Sequence, residues 1–186
     1  MPDVLRPGVL DGLVVRTYGG AEGPAQRLAA LGAEVAPLGG DPGDEESLAA
    51  AATQAGAVDV LVVDGERPFR AAGGGIAGLR AAADGAFAAA RAVATACWIE
   101  GGRPGGKVVL IAPRPGAGEH AEAAGAALEN LARTLSVEWA RFGVRAVALR
   151  PGDRAADEEI AELVAYLASP AGDYVSGTAL APGGGA

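Results

Sequence analysis

Apolar positions along this chain fall into two rhythms: short, largely unbroken runs, and longer stretches in which they return every three or four residues. The runs Leu13-Val14-Val15, Val58 to Val63, Lys107 to Ile111 and Val144 to Leu149 suit strands covered on both faces. Leu128, Leu131, Leu135, Trp139 and Phe142 instead mark one face of a helix, with Glu129, Arg133 and Arg141 mostly off that stripe. One long helix is therefore expected from Gly118 onward, stopped by Gly143.

The remaining elements follow the same logic. A glycine turn after the first strand leads into a helical pattern ending at Gly32, and Glu34 to Leu38 can form a second strand. Asp44 is placed to cap a helix whose first turn is acidic. Gly73 to Gly75 read as a flexible approach to a helix over Ile76 to Glu100, with Cys97 inside it. A helix over Ala156 to Ala168 buries Ile160, Leu163, Val164 and Leu167, ends before Pro170, and is followed by a last strand at Thr178 to Ala181. Residues 1–10 read as a lead-in and Pro182 to Gly185 as a frayed end. Strand and helix alternate throughout, which predicts a three-layer, Rossmann-like parallel sheet of about six strands with helices on both faces. At 186 residues the chain is expected to form a single domain, 1–186.

Composition narrows the function classes. The net charge of −8, with acids outnumbering bases 23 to 15, argues against binding a phosphate backbone. Lys107 is the single lysine among those bases. Cys97 is the single cysteine, so no intrachain disulfide can form, and it reads as a small buried hydrophobe. No apolar run approaches the ~20 residues that cross a bilayer, and a soluble, cytoplasmic protein is expected. One His, one Cys and scattered acids lack the spacing of a metal site.

Several stretches resemble the short-chain dehydrogenase/reductase family. The segment AALENLARTLSVEWARFGVRAVALRPG, residues 126–152, looks like the family's catalytic helix, following strand and Pro-Gly exit. Ala82-Ala83-Asp84-Gly85-Ala86-Phe87 resembles the family's Asn-Leu-x-Gly-x-Phe, and YLASPAGDYVSGTALAPGG resembles its closing helix and strand. Gly19-x-x-x-Gly23-x-Ala25 approximates its glycine-rich turn, and Val63-Asp64-Gly65-Glu66 takes the place of its Asn-Asn-Ala-Gly. The resemblance implies a member reduced in its first third, where the strand at Glu34 to Leu38 and the next helix are nearly fused, and without the mobile segment after Pro151-Gly152.

It also implies where chemistry should be. The family's Asn-Ser-Tyr-Lys set corresponds to Ala82, Pro113, Ala121 and Gly125, so no catalytic residue is expected at those positions. No Tyr-x-x-x-Lys occurs anywhere in the chain. Losing a general acid alone costs ~10²–10⁴ in rate. His120, beside Glu119 and Glu122, is the one candidate from outside the family set. Cofactor-binding candidates by resemblance are Thr17, Gly19, Gly23, Asp64 and Gly65. Against them stand Pro24, which has no N–H to give, and Glu22, a negative charge where a pyrophosphate would sit. The expected function is that of a catalytically inactive structural or regulatory subunit in a homo- or hetero-oligomer with an active homologue, needing no cofactor. The alternatives are an NAD(P)-dependent oxidoreductase with a degenerate active site and a small-ligand-binding protein.

Overall fold

A computed structural model describes residues 5–103 and 105–183. Strands β1 (Val14–Tyr18), β2 (Glu34–Pro37), β3 (Val60–Asp64), β4 (Gly106–Ile111), β5 (Val144–Leu149) and β6 (Thr178–Leu180) form one sheet in the order β2-β1-β3-β4-β5-β6. Every neighbouring pair is parallel. The helices are α1 (Glu22–Ala30), α2 (Glu45–Ala55), α3 (Glu66–Ala71), α4 (Gly75–Val93), α5 (Ala121–Glu138) and α6 (Asp157–Ala168). This is an α/β Rossmann-like architecture with helices on both faces.

Strand side chains alternate between two cores, as the pleat requires. Leu61, Val63, Val108, Leu110, Ala146 and Ala148 face the layer of α2, α4 and α5. Val60, Val62, Val109, Ile111, Val147 and Leu149 face α1 and α6. Alanines at 86, 89, 90 and 132 let the first helix layer approach closely, and all four are fully buried. A third cluster, around Phe69, ties α3 to the starts of α4 and α5 through Ala82, Ala121 and Ala124.

The structure corrects several boundaries. The helix expected over Ile76 to Glu100 ends at Val93 and continues as a π-helix over Ala94–Ile99. That wider turn carries Trp98 under β4, where its Nε1 donates to Val58 O at 2.6 Å. A Cβ at Gly106 would lie 2.0 Å from the indole, so the strand can start there only with glycine. Cys97 lies in this π segment and is buried, its thiol 3.1 Å from Gly56 O. The long helix stops at Glu138, one turn early, and Ala140–Phe142 tightens into a 3-10 turn closed by Gly143 in the left-handed region. Helix α3 has no counterpart in the sequence pattern, because Glu66-Arg67-Pro68-Phe69-Arg70-Ala71 offers only Phe69 to the core.

Gly73–Gly75 is an anchored turn, with Gly74 N–H on Phe69 O and Gly75 N–H on Glu119 O. The lead-in also packs: Leu5 and Leu10 are buried, and Leu10 N–H bonds Leu31 O. At the other end Pro182 O accepts from Gly152 N–H, while Gly184 and Gly185 lie outside the described residues. Asp44 caps α2 as expected, accepting from Glu46 and Ser47 N–H.

Candidate functional site

In an open parallel sheet, ligands gather at the carboxyl ends of the strands where the order reverses. Here that point lies between β1 and β3, and a cavity of about 580 Å3 opens above it. The β1–α1 turn forms one wall. Gly19 (φ 82°) and Gly20 (φ 126°) bend the chain, and Ala21 (φ 42°) follows in the left-handed region without a side-chain cap for α1. The turn is clamped to β3, because a Cβ on Gly19 would sit 2.0 Å from Asp64 O.

Asp64 secures the same corner with its carboxylate. Oδ1 accepts from Glu66 N–H at 2.8 Å, and Oδ2 accepts from Ala21 N–H at 3.4 Å. Burial pushes the Asp64 carboxyl up, the N–H bonds of Glu66, Ala21 and Arg67 partly oppose this, and the Glu66 charge adds to the rise. Glu66 is gripped more firmly. Its Oε2 accepts from Arg114 N–H at 3.0 Å and from the Arg114 side chain at 3.2 Å, and its Oε1 from Arg70 at 2.9 Å. Burial opposes ionisation of Glu66, yet these bonds and the two guanidinium charges bring it below its ordinary range. Arg114 reaches on to Asp157 at the start of α6, and Arg67 pairs with Glu22 across the mouth. The cavity is thus laced by an internal network of acids and arginines joining the β1–α1 turn, α3, the β4 exit and α6.

The sequence candidates divide accordingly. Gly19 and Asp64 meet at the corner just described. Gly65 donates its N–H to Ile111 O at 2.8 Å and lies under Leu128, so it is a packing glycine. Gly23 lines the cavity with open space on its Cβ side. Thr17 is buried within β1, its carbonyl bound by Leu38 N–H, away from the cavity wall. Tyr18 is buried against Gly85, and burial, with the nearby Asp41 charge, raises its phenol.

The family's reactive positions lie on α4, just after β4 and in the first turns of α5. Ala82, Pro113, Ala121 and Gly125 are all buried there. The guanidinium of Arg150, from the end of β5, lies over Gly125: a Cβ there would stand 3.4 Å from Nε and 3.7 Å from the Ala112 methyl. His120 caps α5 with a left-handed backbone (φ 67°) and an exposed ring, 3.7 Å from the Glu119 carboxylate. A non-glycine residue held there carries strain of order 1–3 kcal/mol. Its cavity, shared with Pro115 and Glu122, adjoins the one beside Gly125. Sequence reading missed Arg67, Arg70, Arg114 and Arg150. The Glu66/Arg70 spacing of four was visible, as was the charge ending the apolar run at Arg150. Among the described residues no three His, Cys, Asp or Glu side chains converge to hold a metal, and no helix is long and apolar enough to cross a membrane.

Sheet order, glycine turn and cleft define a Rossmann-type protein related in architecture to oxidoreductases. The solved structures it matches narrow this to the short-chain dehydrogenase/reductase fold. A citronellol catabolism dehydrogenase of Pseudomonas aeruginosa PAO1 is 25% identical with a TM-score of 0.77, over 98% of each chain. A protein described as a short chain dehydrogenase/reductase family protein is 26% identical at 0.70, over 93% of this chain and 96% of the other. A hydroxysteroid dehydrogenase from Escherichia coli is 21% identical at 0.74, over 95% and 97%. No family model and no curated protein sequence matches the chain.

Proposed function

We propose that the chain is a non-catalytic protein of the short-chain dehydrogenase/reductase type. It folds as one cytoplasmic domain and serves as a structural or regulatory subunit of an oligomer, with itself or an active homologue. The observation that carries this reading is the chemistry left at the ends of β4 and α5. A carbonyl reductase needs a side chain that gives up a proton as hydride arrives. Around Gly125 the ionisable groups are Glu122, Glu129 and Arg150. Hydrogen bonding by Arg150, with the Arg133 charge, holds Glu129 below its ordinary carboxyl range against the effect of burial, so it is ionised at neutral pH. A guanidinium does not give up its proton in this range either.

The nucleotide end supports the same reading. A pyrophosphate in the upper cavity would meet Glu22, Asp64, Glu66 and Asp157 beside Arg67, Arg70 and Arg114, but those arginines are already paired with Glu22, Glu66 and Asp157, and Asp64 already engages Ala21 N–H. The residues present do not fit a dinucleotide. Exposed apolar side chains instead mark the outer faces of α4 and α5: Ile76, Phe87 and Val137 are 66%, 42% and 76% exposed. Incubating the purified chain with NADH or NADPH and a panel of ketones and aldehydes is expected to give no coenzyme oxidation. Turnover that follows the protein through purification would overturn the proposal.

The alternative is an NAD(P)-dependent oxidoreductase with an altered site, favoured by the open 580 Å3 cavity at the switch point. A saturable thermal shift with NADH or NADPH is its mark.

A further inference from the structure

Arg150 is held in an arrangement that leaves half of its guanidinium unused. Nη1 donates to Glu129 Oε2 at 2.8 Å, and Glu129 Oε1 is taken by Arg133 at 2.6 Å. Glu129 is therefore fixed from two sides, and it fixes the Arg150 plane in turn. Nε and Nη2 have no hydrogen-bond partner among the described residues. These two nitrogens form an edge that receives a carboxylate in two parallel hydrogen bonds. The space a Cβ would occupy at position 125 lies 3.4 Å from Nε and 3.8 Å from Nη2, so glycine keeps this side of the guanidinium clear.

The edge borders a cavity of about 340 Å3, walled by Pro113, Pro151 and Ala179. That volume is near the lower end of small-molecule sites, which run about 300–1,000 Å3. Glu122, from the first turn of α5, lines the same cavity and has no ion-pair partner among the described residues. The cavity thus offers one open guanidinium edge and one open carboxylate between apolar walls. A simple carboxylate would satisfy Arg150 but face Glu122, and a simple amine would do the reverse. A zwitterion meets both.

We propose that this cavity binds a small amino acid with an apolar side chain. Its carboxylate lies on Nε and Nη2 of Arg150, its ammonium is turned to Glu122, and its side chain packs against the prolines. The upper cavity between β1 and β3 takes no part in this site.

The test is a titration of the full, 15N-labelled chain followed by two-dimensional NMR. Three probes separate the contributions: L-leucine, 4-methylpentanoate (the same skeleton without the amine) and L-leucinamide (without the carboxylate). Leucine is expected to shift the Arg150 Nε–H signal and the Gly125 and Gly152 amides saturably, with an affinity of about 1 mM and at least about tenfold better than either fragment. Arg150→Met should abolish these shifts while distant amides keep their positions. Glu122→Gln, at an exposed side chain, should weaken leucine and leave 4-methylpentanoate unchanged or improved. The proposal fails if leucine leaves these signals unmoved, if leucinamide matches it, or if Glu122→Gln has no effect. Those outcomes would leave the non-catalytic reading standing, since that reading concerns hydride chemistry.

Discussion

Gly19 and Asp64 show how a single backbone contact can hold a corner of a fold. Gly19 combines φ 82° with a Cβ position 2.0 Å from Asp64 O, so any side chain meets both strain and backbone. Gly19→Ala is expected to lower the unfolding free energy by at least about 2 kcal/mol, read by urea denaturation. The carboxyls nearby make a pH prediction with two opposite signs. Asp64 is raised from 3.8, chiefly by burial, so the native state holds its proton more tightly than the unfolded chain. Its contribution favours folding at low pH and is lost as pH rises through the raised native value. Glu129 is lowered from 4.5 by its arginines, so it supports the fold above that value and the support is lost as pH falls. Relative to the parent, the stability of Asp64→Asn should therefore rise as pH climbs above about 4, and the deficit of Glu129→Gln should shrink as pH falls below about 4.5. Denaturation at a series of pH values reads both, and parallel pH curves would refute the assignment. The glycine turn was legible in the sequence. The clamp on Asp64 was not, because backbone proximity between residues 45 apart leaves no local signal.

At the scale of elements, α4 and α5 carry the prediction about partners. Phe87 and Val137 stand on their outer faces with Arg91 and Glu138 nearby, and neither contributes to the core clusters. If this surface joins subunits, Phe87→Glu and Val137→Glu should each reduce the sedimentation coefficient of the assembly. Exposed substitutions of this kind change stability by only about 0.5 kcal/mol, so the melting temperature should hold. An unchanged assembly in both variants would place the interface elsewhere. Strands β3, β4 and β5 were plain in the sequence because both faces are buried and their apolar runs are nearly unbroken. Helix α3 was invisible because one phenylalanine holds it. The π turn at Ala94–Ile99 was invisible too, since it answers to the seat of Trp98 beside Gly106 rather than to any rhythm in its own residues.

For the molecule as a whole, the resemblance in residues 126–152 and 166–184 and the strand pattern together anticipated the six-stranded parallel sheet. The reactive end of the site was legible only by what had been replaced: Ala82, Pro113, Ala121 and Gly125 could be read off, but Arg150 beside Gly125 and the three arginines of the upper cavity could not. Arg67, Arg70 and Arg114 come from segments whose meeting depends on the β3 and β4 crossovers. Their pairing with Glu22, Glu66 and Asp157 gives the cleft internal partners of its own. Calorimetric titration of the intact chain with NADH and NADPH tests this account most directly. The account predicts no saturable heat with either coenzyme; a stoichiometric isotherm in the micromolar range would contradict it.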